Sequence, residues 1–404
     1  MYFLGLFGGQ RMVQNEPGML IGPIAAAFGF IIDFIFNIIN NFTIYHSLGF
    51  SIIFLTIIVR SLMLPLAIKT QKSMAAMQRL NPELQKIRKK YPDKDAKSQQ
   101  AMNAEIQKLY ADNKVNPLGG CLPMLIQMPF FFGLSFIMQQ SYLYVSRLGD
   151  LYSQISTFLI NHVPGYTNYV GAIGAPRVPG NATINIAEVS DLNRLLNVFS
   201  AEDWENLFNT MPEIYSQIPA QHLETLVAQL PPEMAAILNA PADQAAVYGG
   251  RLEALQQLGN YLQGLLANFP VPQDYLHLPT LLTLHEQKIA IENFFGMALT
   301  EATGIGWPGI IIPILAVATA ILTSVVTMRA SIVTDERAKQ QQKMMLVIMP
   351  VFMGAMTIGL PAGVGIFWIT SSVYQTVQQL ILNKRILAPI KEEMALAELK
   401  SAKK

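Results

Sequence analysis

A single arginine interrupts an apolar run long enough to cross a bilayer. From Gly49 the chain reads Phe50, Ser51, Ile52, Ile53, Phe54, Leu55, Thr56, Ile57, Ile58, Val59, Arg60, Ser61, Leu62, Met63, Leu64, Pro65 and Leu66. As a helix rising about 1.5 Å per residue, about 20 such residues cover a hydrocarbon core of about 30 Å. A guanidinium inside that core costs about 2.5–3.5 kcal/mol on insertion scales. Two readings of Arg60 follow. Its side chain snorkels to the interface near Lys69, nine residues or roughly 13 Å along the helix, or it faces a wet cavity within the bilayer, where its charge stays hydrated.

The composition puts this run in an integral membrane protein. Of 404 residues 51% are hydrophobic and 14% charged, with mean hydropathy +0.33; soluble domains carry about 25% charged residues. Cys121 is the single cysteine, so no intrachain disulfide forms. The first residues, Met1 to Asn15, lack the basic region and cleavage site of a secretory signal.

Hydrophobic periodicity and breakers divide an all-α polytopic chain with five transmembrane helices. Residues 1–45 form an N-terminal segment whose helix, Gly18 to Phe42, carries Pro23 and Asp33. With Asn37, Asn40 and Asn41 beside Asp33 on one face, it either spans the membrane or lies in the interface. The first span is 46–66. Residues 67–120 form a helical hairpin, with runs Lys69–Lys90 and Asp95–Ala111 turned at Tyr91–Lys94. The second span, 121–145, contains Pro123 and Pro129. A mostly helical insert, 146–306, includes the runs Ser190–Asn197, Ala201–Thr210 and Arg251–Leu266, with Ser200 and Asp203 marking a helix start. Three further spans, 307–328, 344–361 and 362–383, are separated by the loop 329–343, and 384–404 is a polar tail.

Charge sets the orientation. The hairpin holds 11 basic and 5 acidic residues, the loop 4 and 2, the tail 6 and 3, but the insert 5 and 15. Basic loops stay in the cytoplasm. Hairpin, loop and tail are therefore expected inside a bacterial plasma membrane and the insert outside. No nucleotide-binding phosphate loop, His-Glu-x-x-His motif or Gly-x-Ser-x-Gly elbow occurs, and the five histidines are scattered. No enzymatic activity, metal or other cofactor is expected.

Three blocks carry a family resemblance. They are Ile57–Leu66 continuing into Lys72-Ser73-Met74 and Asn81-Pro82-Glu83; Asn116–Met124 with Gln127-Met128-Pro129; and Met349-Pro350 through Leu360-Pro361-Ala362-Gly363 to Phe367-Trp368. In order and spacing the chain resembles the YidC family of membrane protein insertases, relatives of the mitochondrial oxidase-assembly and chloroplast Albino proteins. The resemblance implies five helices around a hydrophilic groove, open to the cytoplasm and to lipid but closed outside. It further implies an interfacial N-terminal helix, and a cytoplasmic hairpin that recruits clients or the ribosome. Arg60 matches the family's groove cation and Trp368 a family tryptophan, while Thr323 stands where many relatives carry glutamine. The motif blocks leave Leu148 to Glu292 uncovered.

The implied function is moving short polar segments of nascent membrane proteins across the membrane and releasing their helices into lipid, alone or with the Sec translocon. Arg60, Gln127, Thr323, Trp368, Ser372 and Gln375 are the expected client-binding groove. Trp368, Ser372, Gln375 and Gln379 share a helical stripe, although Ser372, like Gln139 and Gln140 on the second span, equally suits helix–helix hydrogen bonding. Arg79, Lys86, Arg88, Lys89 and Lys90 form a basic recruitment surface for ribosome or anionic lipid, with no specific nucleic-acid sequence. Two other functions fit an integral membrane chain. A small-solute transporter would show paired broken helices in an internal repeat, which the sequence lacks. An assembly scaffold would act through the insert.

Overall fold

Proline 65 sets the geometry of the first span. It has no backbone N–H to donate to the Ser61 carbonyl, and its ring crowds that carbonyl. In the computed structural model the helix α2, Ser47–Leu62, ends there, and α3, Leu64–Arg79, leaves at 53°. Arg60 thus lies in the last turn before a bend rather than along one straight helix continuing to Lys69. The structure describes residues 22–91, 95–113, 115, 122–163, 165–174, 184–210, 277–330, 348, 350–389 and 392. The run Arg251–Leu266, Cys121, the block Asn116–Gly120, most of the loop 329–343, the start of the fourth span and most of the tail lie outside those residues.

Helix α1, Gly22–Asn40, precedes α2 and packs against it and against α6, Leu122–Gln139. Ala25, Gly29, Ile32 and Phe36 form its buried stripe, and Gly29 lies against the Tyr144 ring. Phe30, Phe34 and Ile38, at four-residue steps, form an exposed apolar stripe on the other side. Two described helices, Gly22–Asn40 and Ile311–Met328, are long and apolar enough to cross a membrane, and the bent pair from Ser47 to Met77 is a third candidate.

Helix α3 leads to α4, Asn81–Lys90, and α5, Ala96–Asp112. The apolar spacing from Lys69 to Lys90 reads as one run, but the helix breaks at Leu80. Pro82 has no N–H and sits in the first turn of α4, where none is needed. Asp95 caps α5 by accepting from the Ser98 N–H at 3.1 Å. Lys90 pairs with Glu105 at 3.0 Å between the two helices.

Past α6, a short turn α7, Ser141–Tyr144, leads into α8, Ser146–His162, then α9, Tyr166–Gly174, α10, Val189–Leu196, α11, Ala201–Thr210, and α12, His277–Glu292. The start of α11 is a reciprocal cap. Asp203 accepts from the Ser200 N–H and hydroxyl at 2.6 and 2.7 Å, while Ser200 accepts from the Asp203 N–H. Tyr152, Ile155, Leu159, Leu192, Leu196, Phe199, Trp204 and Leu281 form a core of this unit, separate from the core of the remaining helices.

A two-residue hairpin, β1 Asn293–Phe294 with β2 Met297–Ala298, follows α12. Its turn needs positive φ at Phe295 and Gly296 (50° and 85°). Then come α13, Ile311–Ala330, α14, 350–358, and α15, Ala362–Leu382. Helices approach closely where a residue is small: Gly354 meets Val317, Gly365 meets Ile312, and Gly363 meets Met138 and Ile52.

Candidate functional site

Arg60 projects from α2 toward α15, where Gln375 faces it. A guanidinium only donates, so the amide oxygen must be the end turned toward it. So oriented, that oxygen lies 2.6 and 2.7 Å from the two terminal nitrogens of Arg60. One residue along each helix, the Ser61 hydroxyl meets the Tyr374 hydroxyl at 3.0 Å. Arg60 and Gln375 are half-buried and Ser61 is exposed. Among the described residues no carboxylate pairs with Arg60; the ion pairs described lie in the hairpin and the insert. Hydrogen bonds from a charged group are worth about 1.5–3 kcal/mol each. Two of them offset much of the cost of holding Arg60 away from bulk water, without cancelling its charge.

The other expected groove residues divide. Thr323 hydrogen bonds to the Ser372 carbonyl at 3.0 Å and meets the Thr376 hydroxyl at 2.8 Å, tying α13 to α15 one turn from Gln375. The Ser372 side chain is buried at that junction. Trp368 stacks on Phe131 at 5.2 Å with ring planes 8° apart, inside the helical core. Gln127 is half-buried near the start of α6, and among the described residues no hydrogen bond joins it to Arg60. Gln379 donates to Asn383 at 2.6 Å, and Gln139 to Ser135 at 3.2 Å. The structure thus brings two pairs of expected residues into direct contact, Arg60 with Gln375 and Thr323 with the Ser372 backbone. Of the basic set, Arg79 ends α3, and Lys86, Arg88, Lys89 and Lys90 all lie on α4.

On the side of the molecule bearing the insert, hydrogen bonds tie the segment after the β1–β2 hairpin to the turn between α14 and α15. Ala362 N–H donates to the Glu301 carbonyl at 2.7 Å, Gly363 to Leu299 at 2.9 Å, Gly304 to Ile358 at 3.1 Å, and the Thr303 hydroxyl to Thr357 at 2.9 Å. The segment 299–304 is thus strapped across the turn between α14 and α15. On the same side, His46 begins α2 in a left-handed conformation, bonds the Asn293 carbonyl at 2.9 Å and stacks on Phe295.

Two features went unread in the sequence. Asp33 accepts from the Ser146 N–H at 2.7 Å and from its hydroxyl at 2.8 Å, capping α8 from another helix. Lys288 and Glu292 form a buried ion pair at 2.9 Å, their side chains 5% and 4% exposed. Their i, i+4 spacing is visible in the sequence. The burial is not, because it depends on α8 and α11 folding over them.

A family model described as the 60Kd inner membrane protein matches residues 38–162 and 266–389, more than half of the chain. It enters the insert further on both sides than the motif blocks do, leaving 163–265 between the matched parts. The chain is similar to membrane protein insertase YidC 1 of Lactococcus lactis, 52% identical over 86 residues, covering 21% of this chain and 32% of that one. It is similar to membrane protein insertase YidC of Clostridium perfringens, 36% identical over 164 residues, covering 38% and 66%. With membrane protein insertase MisCA of Bacillus subtilis it shares 52% identity over 85 residues, covering 21% and 33%. In each of these relatives the chain spans less than two thirds of the length.

Proposed function

The chain belongs to the 60Kd inner membrane protein family, and on that premise we propose that it inserts membrane proteins into the bacterial plasma membrane. Five spanning helices surround a groove open to the cytoplasm and to lipid. Water in the groove keeps Arg60 hydrated and shortens the low-dielectric path for a client's polar segment. Acidic residues in that segment are drawn to Arg60, and the client's apolar helix leaves sideways into lipid, where burial drives it. No nucleotide is consumed.

The observation that carries this reading is the half-buried Arg60 beside the bend, held by a neutral amide with no described carboxylate to neutralise it. The strap between 299–304 and 358–363 supports closure on the outer side. Asp33 capping α8 at Ser146 supports α1 lying at the outer surface, level with the start of the external insert. The excess of basic residues in the hairpin supports a cytoplasmic position, where Arg79, Lys86, Arg88, Lys89 and Lys90 meet ribosome or anionic lipid. Nascent membrane proteins are the clients, taken alone or with the Sec translocon.

The test is reconstitution in liposomes without nucleotide, using one small single-span client with an acidic external tail. Wild type and Arg60→Lys are expected to insert it and Arg60→Ala to lose most of the activity. Normal insertion by Arg60→Ala would remove the charge from the mechanism. Flux of small solutes without insertion would point to a transporter instead.

A further inference from the structure

Resting on the insertase reading, we infer that Gln375 is a resident placeholder for the client carboxylate, setting the site's selectivity for acidic segments. The guanidinium presents two terminal nitrogens to one oxygen acceptor, 2.6 and 2.7 Å away. That fork also receives a carboxylate, which offers two oxygens and a full negative charge. The bonds to the amide are already assisted by the Arg60 charge; a carboxylate adds the attraction of a full opposite charge and a second oxygen, so its bidentate pair is the stronger one. The amide therefore holds Arg60 in place while the groove is empty and gives way when an acidic side chain arrives.

A carboxylate at position 375 would do the reverse. It would form a permanent ion pair with Arg60, cancel the charge and occupy both donors. A purely apolar residue would leave the charge available but unheld. The Ser61–Tyr374 bond at 3.0 Å keeps the two helices in register through any such change, because it involves neither residue. Gln375 is thus a positioning residue acting through Arg60, and its effect depends on the charge of the client.

The experiment compares wild type, Gln375→Glu and Gln375→Met in liposomes. The two single-span clients are identical except that one external tail carries acidic residues and the other their amides. Gln375→Glu is expected to slow the acidic client at least tenfold and the amide client less than twofold. Gln375→Met is expected to keep the wild-type preference for the acidic over the amide client, because Arg60 stays charged and unpaired, whatever its overall rate. Should Gln375→Glu treat both clients alike while wild type inserts them, the proposal fails and the insertase reading stands. Loss of that preference in Gln375→Met also overturns it, by making Gln375 a client contact rather than a placeholder. Failure of wild type to insert either client overturns both.

Discussion

Breaking the buried ion pair of the insert should cost more stability than any surface change. Glu292 receives Lys288 at 2.9 Å, the Thr300 hydroxyl at 3.2 Å and the Tyr152 hydroxyl at 3.3 Å. The Lys288 ammonium also lies over the Trp204 and Tyr152 rings, 5.3 and 5.6 Å from their centroids. Lys288→Ala leaves Glu292 charged and buried with two neutral donors, and removing one partner of such a pair costs about 3–5 kcal/mol. With a urea slope of about 2 kcal/mol per molar, the unfolding midpoint of the insert should fall by about 2 M. Trp204 reports this directly, because it is buried in the insert core; Trp307 and Trp368 are replaced by Phe to leave it as the only indole. The double variant Lys288→Met with Glu292→Leu should recover most of the loss, since well-packed apolar residues often replace a buried pair at little cost. A midpoint shift under 0.5 M in Lys288→Ala, about 1 kcal/mol at that slope, would refute the reasoning.

Two more outcomes follow from neighbouring groups. His285 is buried between Trp204 and Phe208, with ring centroids 4.6 and 5.0 Å away. Burial, with Lys288 adding to it, holds its pKa well below the ordinary imidazole value of 6.5. Its stabilising contribution is therefore full above pH 6.5 and is lost as pH falls, because the unfolded chain takes up a proton the folded one resists, by up to about 1 kcal/mol per pH unit. His285→Phe should flatten that dependence in urea titrations at pH 7.5 and 5.5; an unchanged slope would exclude His285 as its source. Asp33→Ala should destabilise the start of α8 by about 1 kcal/mol, and Asp33→Asn, which still caps, by clearly less. Hydrogen exchange at Ser146 and the following residues checks this, and equal exchange in both variants would contradict the cap.

What the sequence made legible was local. A charge inside an apolar run singled out Arg60 without any partner in view, and basic and acidic segments separated cleanly. Ser200 and Asp203 announced the start of α11. Proline positions carried more than the periodicity reading took from them: Pro65 ends α2 three residues before itself, and Pro82 splits the hairpin's first run. Long-range pairing was not legible. Nothing along the chain joins Arg60 to Gln375, or Asp33 to Ser146, because each contact depends on how two helices cross. A polar and aromatic stripe on one helix also cannot distinguish a cavity from a neighbour. Trp368 and Ser372 share Gln375's stripe, yet one stacks on Phe131 and the other is buried at the junction with Thr323.

The most direct test is whether water reaches Arg60 from the cytoplasm. A cysteine placed at Ser61, with Cys121 replaced by serine, sits beside the guanidinium on the exposed side of α2. In oriented membrane vesicles a charged, membrane-impermeant maleimide should label it from the cytoplasmic side and not from the outside. Protection from both sides would put Arg60 in a dry contact and contradict the insertion mechanism.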